Sequence, residues 1–307
     1  MCMELTPAQY PHPTHVVVHL SDTHLVAGTT LYGSVDSQAR LVQILDELEG
    51  SGVRPDVIAV TGDLTDKGDP LAYEKLREMV EPVAVRLGAE LIWVMGNHDK
   101  REHFRQVMLD EPPDDRPVDR TYWVGDLRVI ALDTSVPGFH HGEISPKQLD
   151  WLAEELRTPA KDGTVLAIHH PPVPSIQELA VLTELRDQQE LENVVKGSDV
   201  RVILAGHLHY PASGSFAGVP VSVAPATSYT QDLNTSTGVR GRDGGQGYSL
   251  VHLYEDTLLI SVVTTGRYST VGRPITGEES AKLLDAAGIY IPEPAEGNGP
   301  GPDTGAA

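Results

Sequence analysis

Apolar positions in the first hundred residues fall in short runs, separated by longer stretches with helical spacing. "HVVVHL" (15–20), "VIAVTG" (57–62) and "LIWVMG" (91–96) read as buried strands, each ending at a polar cluster. Between them, "SQARLVQILDELEG" and "LAYEKLREMVEPVAVRLG" repeat their apolar positions at helical period. Pro82 should kink or interrupt the second helix, because it lacks an N–H and its ring clashes with the preceding turn. The layout is βαβαβ, which predicts parallel strands with helical crossovers.

A second set of strands follows: "LRVIALDT" (127–134), "TVLAIHH" (164–170), "VRVILAG" (200–206), "VPVSVA" (219–224), "GYSLVHLY" (247–254) and "TLLISVV" (257–263). Ser145-Pro146-Lys147-Gln148 marks a helix start, combining capping-box spacing with proline at the first helical position. Strands dominate after residue 200, where some pairings should be antiparallel. The expected fold class is therefore α/β, with two mixed β-sheets packed as a sandwich and flanked by helices. Residues 1–291 read as a single domain. Residues 292–307 ("PEPAEGNGPGPDTGAA") form a Pro/Gly-rich tail expected to be disordered. Residues 228–247 are polar and glycine-rich and read as a long loop, which in a compact domain is usually functional or mobile.

Charge narrows the partners. Among 307 residues, 23 basic against 44 acidic side chains give a formal charge of −21. Such a field repels polyanions and argues against nucleic-acid polymers, so an anionic substrate must be captured locally. Cys2 is the one cysteine, which excludes an internal disulfide framework. The first twenty residues lack the basic region and long apolar core of a signal peptide, and no stretch has the length of a transmembrane segment. A cytoplasmic location is the expectation.

Metal-binding residue types collect where the strands end. The first run leads into "SDTH" (Asp22, His24), the second into "TGDL" (Asp63) and the third into "GNHD" (Asn97, His98, Asp99). "AIHHPP" then offers His169 and His170, and "ILAGHLHY" offers His207 and His209. In a continuing strand His207 and His209 would share a face, with Leu208 turned to the core. Gly206 points instead to a strand-end loop. Ligands in open α/β sheets gather beyond the carboxyl ends of strands, and all five clusters fall there. One such cluster is ordinary loop polarity; five in order are not coincidence.

The ordered set D-x-H, G-D, G-N-H-D, H and G-H-x-H resembles the calcineurin-like metallophosphoesterase family over residues 22–209, about two thirds of the chain. Within it, "SDTHL", "VMGNHD", "LDTSVPG-HHGEI" and "LAGHLHY" are similar to the class III cyclic-nucleotide phosphodiesterases of mycobacteria. The resemblance implies a phosphodiesterase with two metal ions per chain. One ion would be held by Asp22, His24, Asp63 and His209, the other by Asp63, Asn97, His169 and His207, with Asp63 bridging. His98 is implied as the proton donor or phosphate contact, with Asn97, His98, His209 and His140 at the substrate and a homodimer as the assembly. The broader alternatives are a general phosphodiesterase, phosphomonoesterase or nuclease, or a non-catalytic interaction module of the same fold.

The chemistry suits these residue types. Two cations roughly 3.5–4 Å apart clamp phosphoryl oxygens and acidify a shared water, so that hydroxide attacks at neutral pH. A carboxylate has two oxygens and can span such a pair. Neutral ligands leave the site positive: two divalent ions with only Asp22, Asp63 and one hydroxide against them retain about +1, enough to draw a phosphodiester into an acidic protein. Imidazole, carboxylate and amide donors without thiolate suit manganese, iron or zinc. A ligand tyrosine three residues after the G-D aspartate, as in purple acid phosphatases, is replaced by Asp66. Asp66 and Asp99 are expected to support the ligands from behind. Ordinary loop polarity is expected for His141 and His170, and a solvated role for Arg240 and Arg242.

Overall fold

The computed structural model describes residues 5–235 and 238–294; Cys2 and residues 295–307 of the expected tail lie outside it. The apolar runs become β1 (His15–Leu20), β2 (Val57–Thr61) and β3 (Glu90–Val94), with α1 (Ser37–Gly50) and α2 (Pro70–Leu87) as crossovers. There follow α3 (Arg101–Met108), β4 (Arg120–Val124), β5 (Leu127–Ala131), α4 (Pro146–Leu156) and β6 (Thr164–Ala167). The last third holds α5 (Gln188–Val195), β7 (Val200–Ala205), β8 (Ala212–Phe216), β9 (Val219–Val223), β10 (Gly247–Leu253), β11 (Leu258–Thr264) and α6 (Gly277–Ala287).

One sheet has the order β11-β10-β1-β2-β3, with β1, β2 and β3 parallel and β10 antiparallel to both of its neighbours. The other has the order β4-β5-β6-β7-β9-β8; β5, β6, β7 and β9 are parallel, and the edge strands β4 and β8 are antiparallel. Val17, Val57 and Ala59 of the first sheet meet Val129, Val165 and Val202 of the second in one apolar layer. The alternate residues Val18, Leu20, Ile58 and Val60 pack with Leu41, Ile44, Leu76 and Val80 of α1 and α2. Ile130, Leu166 and Ile203 pack in the same way with Leu152, Leu191 and Val195 of α4 and α5. Four layers, α/β/β/α, result. Strands covered on both faces need apolar residues at every position, which is why they appear as unbroken runs.

Helix starts follow the sequence signals. The Ser145 hydroxyl takes the Gln148 N–H at 3.4 Å, while the Gln148 side chain takes the Ser145 N–H at 3.1 Å. Pro82 does not interrupt α2, which runs unbroken from Pro70 to Leu87. Pro82 and Glu78, whose carbonyl loses its partner, both lie on the exposed face, so water can take the freed carbonyl. The expected loop at 228–247 contains a short antiparallel ladder, Thr230–Gln231 with Gly241–Arg242. Among the described residues, no helix is long and apolar enough to cross a membrane.

Candidate metal centre

The backbone turns sharply where the strands end. Asp22 (φ 54°), His24 (φ 41°), Asp63 (φ 48°), His207 (φ 71°) and His209 (φ 55°) all occupy the left-handed region, as do only four other non-glycine residues among those described. Each such residue costs on the order of 1–3 kcal/mol and persists only where its surroundings impose it. Here cross-strand bonds impose it: Asp22 N–H donates to Gly62 O at 3.1 Å, His24 N–H to Asp63 O at 2.9 Å, and Gly206 N–H to His169 O at 3.0 Å. His207 and His209 therefore reach the site through two turned residues rather than one strand face, and Leu208 between them packs with Tyr210 and Val223.

The turns bring both sheets' strand ends to one point. Asp63 Oδ2 lies 3.4 Å from His24 Nε2 and 3.4 Å from His169 Nε2, while Oδ1 accepts the His98 N–H at 2.9 Å. His24 Nε2 faces His209 Nε2 at 3.0 Å, and His209 Nε2 is 3.4 Å from Asp22 Oδ1. The carboxylate of Asp22 also accepts the His207 N–H at 3.1 and 3.0 Å. Ligand atoms of Asp22, His24, Asp63 and His209 lie within 4.8 Å of one another, flanked by a His169, His170 and His207 group and a His24, Asp66 and His98 group.

Outer hydrogen bonds fix which nitrogen faces inward. His169 donates Nδ1–H to Thr61 O at 2.7 Å, and His209 donates Nδ1–H to Tyr229 O at 2.9 Å, which turns both Nε2 lone pairs into the cluster. Asn97 donates its amide N–H to His140 Nδ1 at 3.0 Å, which leaves the amide oxygen free. That oxygen and His169 Nε2 are buried with no hydrogen-bond partner. Unpaired buried acceptors are costly, and two imidazole lone pairs facing each other need a cation or a proton between them. The donor set fits metal ions.

Charge within the cluster is finely divided. Burial lowers the proton affinity of His24 and His169, but carboxylates, Asp63 foremost, more than offset it and raise them to about 10 and about 9. Burial dominates at His207, pushed down to about 3, and at His209, pushed down to about 4. Burial works against ionised Asp63, yet His169 and His24 hold its carboxyl well below the usual carboxylate range.

Of the remaining predicted residues, His98 donates Nδ1–H to Asp66 O at 2.8 Å and keeps its ring 24% exposed. Asp66 Oδ1 accepts the Tyr32 hydroxyl at 3.1 Å and lies 3.6 Å from His24 Nδ1. Asp99 is turned away from the cluster and laces its loops together, accepting Leu64 N–H at 3.1 Å, Thr65 N–H at 3.1 Å, Gly96 N–H at 2.9 Å and the Tyr73 hydroxyl at 2.8 Å. Burial, and then the charge of Asp63, push its carboxyl up to about 6. His170 is not loop polarity: it is fully buried, bonded through Nδ1 to Thr134 Oγ1 at 2.7 Å and through Nε2 to His140 O at 3.1 Å. With both nitrogens engaged, it holds the His140 segment in place. His141 is buried too, at 2.9 Å from Glu143. Arg240 pairs with Asp232.

Two features were not read from the sequence. Tyr229 stacks beside His209, ring centroids 4.3 Å apart, and its one signal is an aromatic residue at the start of a polar loop. The glycines are the second. A Cβ on Gly96 would lie 2.1 Å from Asp63 N, and one on Gly62 would lie 2.4 Å from His169 Nδ1, so one glycine lets two loop backbones meet and the other makes room for the His169 ring.

Oxygen and nitrogen donors without thiolate, gathered around one shared carboxylate at the strand ends of an α/β sandwich, define the class of metal-dependent phosphoesterases. The chain belongs to the calcineurin-like phosphoesterase family, whose profile matches residues 15–211. It is 58% identical over 292 residues to a probable cyclic nucleotide phosphodiesterase of Rhodococcus erythropolis, covering 95% of this chain and 97% of that one. It is 55% identical over 289 residues to the cAMP/cGMP dual specificity phosphodiesterase of Mycobacterium tuberculosis, covering 94% and 91%. A dimetal phosphatase from Danio rerio shares the fold, with a TM-score of 0.58 at 15% identity over 81% of this chain and 96% of that one.

Proposed function

We propose that the chain is a binuclear metal-dependent phosphodiesterase that opens cyclic nucleotides, 3′,5′-cAMP first among them, to nucleoside monophosphates. The observation that carries this reading is one Asp63 oxygen placed 3.4 Å from both His24 and His169, in a chain matching cyclic nucleotide phosphodiesterases along nearly its whole length. Asp22, His24, Asp63 and His209 would hold one ion, and Asp63, Asn97, His169 and His207 the other. Manganese, iron and zinc all suit these donors. Bound there, divalent ions supply positive charge and Lewis acidity to a phosphodiester.

The chain's own residues do the rest. The Asp66 carbonyl sets the His98 ring so that Nε2 is free to face substrate, and the protonated ring can give its proton to the departing ribose oxygen. His140 turns the Asn97 amide so that its oxygen points inward. His98 N–H, bonded to Asp63 Oδ1, ties the proton donor to the carboxylate that would be shared by both ions, and so sets its place relative to them. A cytoplasmic location and a homodimer belong to the same proposal.

The test is hydrolysis by manganese-loaded protein of 3′,5′-cAMP, 2′,3′-cAMP, linear diesters and phosphomonoesters, with and without EDTA. Cyclic nucleotides should be opened, and chelation should abolish turnover. Rapid turnover of monoesters with cyclic nucleotides left intact would overturn the reading.

A further inference from the structure

A cavity of about 310 Å³ opens beside the cluster, walled by Tyr32, Val35, Tyr229, Gln231, Arg242 and Asp243. Its position is fixed from the metal side. Tyr229 is shared by both: its ring lies 4.3 Å from that of His209 and 6.1 Å from that of His24, and its carbonyl holds His209 Nδ1. Across from it, Tyr32 stands edge-on to Tyr229 at 5.9 Å between centroids, with its hydroxyl tied to Asp66 at 3.1 Å.

Tyr32 is an unusual surface residue. It sits at φ 50° in a tight turn closed by Leu31 N–H to Val35 O at 2.7 Å, and its side chain is 62% exposed. A strained backbone that holds an aromatic ring in water beside a reaction centre gains nothing for the core, and such strain concentrates at ligand clamps. Two polar groups of the cavity keep hydrogen-bonding capacity, Gln231 and Arg242. Gln231 Oε1 is buried with no hydrogen-bond partner. Both oxygens of Asp243 are taken by Arg40, at 2.9 and 2.8 Å; among the described residues no carboxylate forms an ion pair with Arg242, whose charge acts on Asp232 from further off.

We propose that this cavity is the nucleobase subsite: a purine stacks on Tyr32 against the wall formed by Tyr229, and Arg242 donates to N7, the acceptor that adenine and guanine share. A flat π-face is what an exposed tyrosine recognises, and an arginine fork matches acceptors on a purine's edge. Gln231 Oε1 offers a buried, unused acceptor suited to an exocyclic amine. Pyrimidines lack N7 and present less surface, so they bind less well. This inference rests on the cyclic-nucleotide reading above.

The experiment compares kcat/KM for cAMP with that for 1-deoxyribose 3′,5′-cyclic phosphate, which keeps the reacting ring and lacks the base. In the wild type the ratio measures what the base contributes. Tyr32→Ala should lower it about 5- to 150-fold, the range expected for one base–aromatic stack. Tyr32→Phe keeps the ring but loses the bond to Asp66, and should leave the ratio within about threefold of wild type. Arg242→Ala should lower it for cAMP and cGMP and leave the smaller cCMP ratio unchanged. If Tyr32→Ala slows both substrates equally, Tyr32 acts through Asp66 on the phosphate and the subsite is refuted. If the wild type opens neither cyclic substrate, it is the proposed function that fails.

Discussion

Replacing Gly96 by alanine adds one methyl group at the point where the loops after β2 and β3 touch. The backbone there is accessible to alanine, so the whole effect is contact. The new Cβ would lie 2.1 Å from Asp63 N, 2.3 Å from Asp63 Oδ1 and 2.9 Å from Asp63 Cα. Restoring ordinary contact requires a displacement of about 1 Å, and the atoms in the way are largely backbone. Asp63 Oδ1 holds His98 N–H at 2.9 Å and Oδ2 lies 3.4 Å from two imidazoles, so a shift of that size breaks the first and unbalances the second. Misplacement by 1 Å in a reacting site costs about 10²-fold, and overpacking of this kind destabilises by about 1–3 kcal/mol. Gly96→Ala should therefore lose at least about 100-fold in kcat/KM on cAMP and bind less metal at both positions, with an unchanged far-ultraviolet circular dichroism spectrum. Gly50→Ala is the matched control, since its Cβ meets nothing within 4 Å. Activity within threefold of wild type and a full metal complement in Gly96→Ala would refute the claim that this contact positions Asp63.

Three further outcomes can be checked directly. Asp63→Ala should lose both metal ions and essentially all activity, whereas Asn97→Ala should chiefly weaken one; elemental analysis decides, and two equivalents retained by Asp63→Ala would exclude a bridging carboxylate. His98→Ala should keep its metals and lose about 10²–10⁴-fold on cAMP but far less on bis-p-nitrophenyl phosphate, whose leaving group departs without a proton; equal losses would make His98 a phosphate contact. Burial pushes the Asp119 carboxyl up to about 6, so the folded chain holds a proton that an unfolded one, near 3.9, has released. Stability should thus fall as pH rises from about 4 to about 6, and Asp119→Asn, whose amide oxygen can still accept from Asp133 N and Gln148, should flatten that slope and add about 2 kcal/mol at pH 7 by denaturant titration.

What the sequence carried, it carried through burial. "HVVVHL" has the same bounds as β1 because both faces of that strand are covered, and Asp22, Asp63 and His207 were conspicuous because such residues follow directly on apolar runs. The edge strands of the second sheet, β4 and β8, were silent. "ASGSF" (β8) is largely exposed and has no apolar alternation to betray it, and "REHFRQVM" (α3) buries only Phe104 and Met108. The hold of His170 on the His140 segment depends on contacts across tens of residues, as do the close approaches of Gly62 and Gly96. No local pattern encodes them.

The cluster takes Asp22, Asp63 and Asn97 from the loops of one sheet and His169, His207 and His209 from those of the other. Metal ions seated there would act as rivets through the sandwich, adding to its stability in proportion to their affinity. On that assignment, a molecule whose two sheets have come apart even locally would present half a ligand set and would lose its ions and its activity together. Misassembled chains would then fall silent instead of working badly.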